Sequence, residues 1–148
     1  MESPVIQFRE LLAQFVKNTQ TRIGDYNSPK QEDILIEMLN LVKANPEVRQ
    51  GFVRCFIEIV DNPNLGMTWA VVLFCMRELQ WPEVKEAIEQ FITSQHPISD
   101  RIWRHMLEAY KKDWNFRGEF FYHDKRESPP PARPCLLARL FGWKKTGR

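Results

Sequence analysis

The chain has 148 residues, of which 43% are apolar and 27% charged, a composition that fits one globular domain and excludes collagen, a coiled coil or a wholly disordered chain. The net charge of +2 conceals a division: residues 1–128 carry 16 basic against 19 acidic side chains, net −3, while residues 129–148 carry five basic side chains and no acidic one. A body of negative net charge has the wrong sign for nucleic-acid binding by its main surface, so a nucleic-acid partner is not expected there.

Apolar residues recur at helical spacing, which predicts an all-α domain over 1–127. The first helix starts at Ser3-Pro4, buries Val5, Phe8, Leu11, Leu12, Phe15 and Val16, and ends before Gly24. Ser28-Pro29 opens the second, where Gln31 three residues after the serine makes a capping box, and Asn45-Pro46 ends it. The same pair starts a third helix carrying Val48, Phe52, Cys55, Phe56 and Ile59, which closes near Asp61-Asn62-Pro63. A fourth runs from about Gly66 to Gln80, and Trp81-Pro82 separates it from a fifth with Val84, Ala87, Ile88, Phe91 and Ile92. The sixth starts at Ser99-Asp100 and carries Ile102, Trp103, Met106, Leu107 and Tyr110, before Trp114–Gly118 suggests an end or a turn. Six helices in antiparallel pairs follow, arranged as a short α-solenoid or a compact helical bundle.

Beyond them, Ser128-Pro129-Pro130-Pro131-Ala132-Arg133-Pro134 favours extended chain and marks a linker over 128–134. The segment 135–148 joins Leu, Phe and Trp to cations. It is expected to be disordered until it binds, since so short a helix is marginal in water. Arg139, Phe141, Trp143, Lys144 and Lys145 are its candidate contact residues, for a partner's groove or for an anionic membrane surface.

Pro46-Glu47-Val48-Arg49 and Pro82-Glu83-Val84-Lys85 repeat the order proline, acid, valine, base at a distance of 36 residues. The apolar register then continues, Phe52 matching Ile88, Cys55 matching Phe91 and Phe56 matching Ile92. Each motif is read as opening the second helix of an antiparallel pair. Over residues 30 to 95 this resembles the HEAT class of helical repeats, which implies stacked helix pairs whose face binds another protein. In size and helical form the chain also resembles small bacterial immunity proteins, which implies neutralisation of a partner by covering its active site.

A search for chemistry finds little. Neither G-x-x-x-x-G-K-[ST] nor G-x-G-x-x-G occurs among six glycines, so no nucleotide site is expected. His96, His105 and His123 lack a second His or Cys at ligand spacing, so no metal or other cofactor is expected. Cys55 and Cys75 fall on apolar stripes and read as core residues. An odd cysteine count, no run as long as a membrane span and no signal-peptide pattern at the N-terminus together lead to the expectation of a cytoplasmic protein. The chain reads as a non-enzymatic protein-interaction module, with association of the basic tail with a membrane or nucleic acid as the alternative. The candidate surface joins Glu83, Glu86 and Glu89, on one face of the fifth helix, to the aromatic and basic cluster of Trp114, Phe116, Arg117, Phe120 and Tyr122; the other reading of the same residues is a solvated acidic face and aromatics that cap the open end of the helical stack as core.

Overall fold

The computed structural model describes residues 2–21, 26, 28–62, 67–94, 101–114, 116 and 119–127, and those residues contain seven α-helices and no strand. The linker 128–134, the tail 135–148 and Arg117 lie outside the described residues.

Proline opens α1 (Pro4–Thr21), α2 (Pro29–Ala44) and α5 (Pro82–Ser94), because its fixed φ suits the first helical position and its missing N–H had no helical acceptor there. Ser3 Oγ accepts from the Val5 N–H at 3.3 Å and Ser28 Oγ from the Gln31 N–H at 3.4 Å, so both serines cap as expected. The side-chain oxygen of Gln31 turns to Asn18 Nδ2 of α1 at 2.9 Å. Pro46 opens a 3-10 turn, Pro46–Val48, which leads into α3 (Arg49–Asp61). Next come α4 (Trp69–Leu79) and α6 (Arg101–Leu107), the latter running into a 3-10 turn over Glu108–Tyr110. The last helix is α7 (Phe121–Glu127). It was absent from the six-helix expectation because seven residues with one buried position, His123, show no helical period.

The helices pack as two layers of three. In one, α3 lies between α1 and α5; in the other, α4 lies between α2 and α6; and α1 faces α2, α3 faces α4 and α5 faces α6 across the layers. The proline-acid-valine motifs therefore open the first helix of each pair, a correction to the expected register: α3 pairs with α4 and α5 with α6. The short Asn45-Pro46 and Trp81-Pro82 links connect successive pairs rather than the two members of one pair. Between the layers sit Phe8, Phe15, Phe52, Phe56, Leu35, Leu39, Val84 and Ile88, all fully buried. Phe56 meets Phe8 edge to face at 5.2 Å and Trp81 at 5.8 Å, joining all three pairs. Gly51 lets α1 close on α3: a Cβ there would stand 2.7 Å from Val5 Cγ2.

Seven consecutive residues of α4, Ala70–Met76, are buried. The middle helix of one of two layers would leave its outer face bare; α4 buries every side. The extra cover comes from Glu108–Trp114 and Glu119–Glu127, which lie on the outer face of the second layer and pack Trp114, Phe120 and His123 against it. The turn into that segment is secured by Gln80, whose backbone is left-handed (φ 54°) and whose side-chain amide donates to Met76 O at 2.8 Å and to Ala109 O at 2.7 Å. No helix among the described residues is long and apolar enough to cross a membrane.

Candidate docking groove between α2 and α7

The groove is made where α7 is fastened to α2. Glu32, on the first turn of α2, is 6% exposed, and its carboxylate accepts from the Phe121 N–H at 3.1 Å and from the Tyr122 N–H. One helix thus supplies the N-terminal cap of another, satisfying two donors that α7 cannot satisfy itself. At the far end of α7, Glu78 of α4 gathers Lys43, Arg126 and the Tyr122 hydroxyl, the last at 2.8 Å. Burial pushes the Glu78 carboxyl up, but the donors from Lys43 and Tyr122 and the charge of Arg126 outweigh it and hold the group below its ordinary range. Arg77 forks onto Glu127 at 2.8 and 2.9 Å and lies 4.6 Å over the Trp114 ring. His123 Nε2 is 2.8 Å from the Phe74 carbonyl; since a carbonyl only accepts, Nε2 carries the proton. Burial lowers the His123 pKa, the Phe74 bond and the Glu127 and Glu78 charges opposing it only in part.

With α7 so placed, a hollow of about 470 Å³ opens between α2 and α7. Its apolar part is Pro29, Ile36 and Phe121, and Phe121 is 72% exposed. Its acidic part is Glu32, Asp33, Glu119 and Asp124, with no basic residue in the lining. Tyr26 donates to Glu119 Oε1 at 2.7 Å, and burial together with that carboxylate raises the tyrosine's pKa. The hollow therefore offers a large aromatic surface and negative potential together, the combination that receives an amphipathic cationic segment. A second hollow, between Glu2, Glu10, Gln14 and Glu37 on the outer side of α1 and α2, is acidic but lined by no aromatic residue.

The surface expected from sequence does not assemble. Glu83 turns to Arg49, receiving its guanidinium at 2.6 and 2.8 Å, which holds the Glu83 carboxyl down to about 2. Arg49 also lies 4.5 Å over Trp81, so this acid of the repeated motif joins α3 to α5. Glu86 and Glu89 are exposed on α5, away from the aromatic segment. Trp114 and Phe120 are core residues, 2% and 0% exposed, and are corrected from surface candidates to packing residues. Phe116 is half-buried against Trp69, His105 and Trp114. Tyr122 is half-buried and tied to Glu78. The exposed aromatic is their neighbour Phe121. The sequence carries no signal for it: only once α7 is in place does position 121 fall off the face that Phe120 and His123 bury.

Cys55 and Cys75 are buried, and burial raises both thiol pKa values, which disfavours the nucleophilic thiolate. Among the described residues no three His, Cys, Asp or Glu side chains come together as a metal-ion cluster. Comparison with protein-family models, with curated proteins and with solved structures finds no match for the chain.

Proposed function

We propose that the protein is a non-enzymatic interaction module that captures a basic amphipathic segment of another protein in the groove between α2 and α7. The observation that carries this reading is Phe121, an aromatic side chain left 72% exposed on a helix otherwise fastened at both ends, beside an acidic lining without a cation. Large exposed aromatics are the usual anchors of protein recognition, and the surrounding charge sets partner choice and encounter rate. Mechanistically this is occlusion: the partner's basic surface is covered while bound, the action that the likeness to immunity proteins implies. The pairwise stacking of α1 to α6 supports the HEAT-like reading, with a difference in where binding occurs. The outer face of the second layer is taken by Glu108–Trp114 and Glu119–Glu127, and the groove forms at the edge of that cover.

Titration of the full chain with a labelled 14-residue Leu/Lys amphipathic peptide, followed by fluorescence anisotropy at low salt, tests the reading. Micromolar binding that weakens with salt and falls at least tenfold in Phe121→Ala and in Asp33→Lys supports it; both side chains are exposed, so the fold is kept. Equal binding of a Leu/Glu peptide, or affinity unchanged in both variants, overturns it.

A further inference from the structure

We infer that the groove between α2 and α7 is occupied by the chain's own C-terminal segment, Cys135–Lys145, which an external basic segment must displace. The inference rests on the docking reading above and names the first occupant of the same site. Three observations carry it.

The first is charge. The groove lining holds Glu32, Asp33, Glu119 and Asp124 and no base, and the chain after Glu127 holds Arg133, Arg139, Lys144, Lys145 and Arg148 and no acid. The second is attachment and reach. The segment is joined by residues 128–134 to the C-terminal end of α7, whose Phe121 and Asp124 form one wall of the groove. Running back along α7 takes about 10 Å, at about 1.5 Å per residue. Residues 128–134 include four prolines, and a proline-rich chain of seven residues can reach about 22 Å at about 3.1 Å each. A connection that short places its cargo at an effective concentration of about millimolar, enough to fill a site of micromolar affinity. The third is apolar pattern. Leu136, Leu137, Leu140 and Phe141 recur at the spacing of one helical face, with Arg139 beside them and Lys144-Lys145 just after, matching the apolar strip of Phe121, Ile36 and Pro29 with acids around it. Tethered occupancy acts as a threshold: a competitor binds only if it outmatches the tail.

Cys135 gives a direct probe in the full chain, since Cys55 and Cys75 are 1% and 0% exposed and a nitroxide maleimide will label position 135 selectively. Amide spectra of the labelled protein are expected to show broadening confined to residues around Ile36, Phe121 and Asp124. The broadening should not depend on protein concentration and should be lost in R139E/K144E/K145E. The same triple variant is expected to bind the Leu/Lys peptide at least fivefold more tightly than the native chain. Absence of local broadening overturns the inference, as does broadening seen only when unlabelled-spin and nitroxide-bearing chains are mixed, which would place the tail on a second copy. So does loss of broadening on adding vesicles of 20% anionic lipid with no change in peptide affinity. If the peptide binds native and triple-variant chains equally and no broadening is seen, self-occupancy is wrong while the docking function stands; if broadening is seen and neither chain binds peptide, the groove serves the tail alone and the docking function is wrong.

Discussion

The two faces of the second layer are held by different physics. Toward the first layer, α2, α4 and α6 meet phenylalanines and aliphatic side chains, with one buried bond from Trp103 Nε1–H to the Val60 carbonyl at 2.8 Å among the described residues, so attachment depends mainly on area removed from water. Toward Glu108–Trp114 and Glu119–Glu127 the same helices offer an aromatic patch ringed by charge-assisted bonds, Glu32 to the start of α7, Glu78 to its end and Arg77 to Glu127, with a neutral bond from a buried histidine to the Phe74 carbonyl inside the ring. The stack answers to volume and the cover answers to protonation. A protein built this way can open the hollow between α2 and α7 without unfolding its body, because the hollow exists only while α7 is fastened down.

The sharpest way to separate the two faces is to damage the stack. Phe56→Ala removes a fully buried ring that touches Phe8 and Trp81; it is expected to cost about 3–5 kcal/mol in urea unfolding, with every helix losing stability together. Glu78→Gln strikes the other face. Lys43 and Arg126 lose their shared charge and Tyr122 keeps a neutral acceptor, so a cost of about 1–3 kcal/mol is expected. It should show as faster amide exchange over Phe121–Glu127, with α3 unchanged; equal acceleration in both would erase the distinction between the faces.

Acid titration probes the same contrast with no substitution. His123 has a pKa lowered by burial, so the native state takes up the proton less readily than the unfolded chain. Its contribution is fully present above the ordinary histidine value of 6.5 and is lost as pH falls through the lowered native value. Protection of the α7 amides is expected to decline across that window while protection of Phe52–Val60 holds, and His123→Gln, which keeps a donor for Phe74, should flatten the decline. The smallest effect belongs to the stack again. Gly51→Ala sets a methyl 2.7 Å from Val5 Cγ2, so a loss of about 1 kcal/mol is expected after the gain in helix propensity. On a Val5→Ala background the same change should stabilise, and calorimetry of the four chains would reveal that reversal of sign.

What the sequence made legible follows from the range of the interactions involved. Pro4, Ser28-Pro29, Pro46 and Pro82 act within one turn of the chain, and the starts of α1, α2, α3 and α5 were readable from them. Pairing depends on which helix faces lie across the core, and a motif shared by α3 and α5 says that they are equivalent without saying which neighbour each one faces. That is why the pair register came out shifted by one helix. The groove was hidden for the same reason: Asp33 and Phe121 are 88 positions apart, and only the docking of α7 on Glu32 brings their surroundings together. Within the aromatic run 120–122, composition alone gave no ranking, whereas helical phase leaves Phe120 in the core and Phe121 in solvent.

The burial of α4 on every side also bears on how the chain is made. Trp69–Met76 is a run of eight residues, WAVVLFCM, without a charge or a proline, the kind of segment that associates with other chains when bare. Its last cover, Trp114 to His123, is synthesised about forty residues later, several seconds at ordinary translation rates. Throughout that interval the growing chain carries an uncovered greasy helix on the ribosome, so a nascent polypeptide halted before Trp114 is a natural client for chaperones that hold apolar segments.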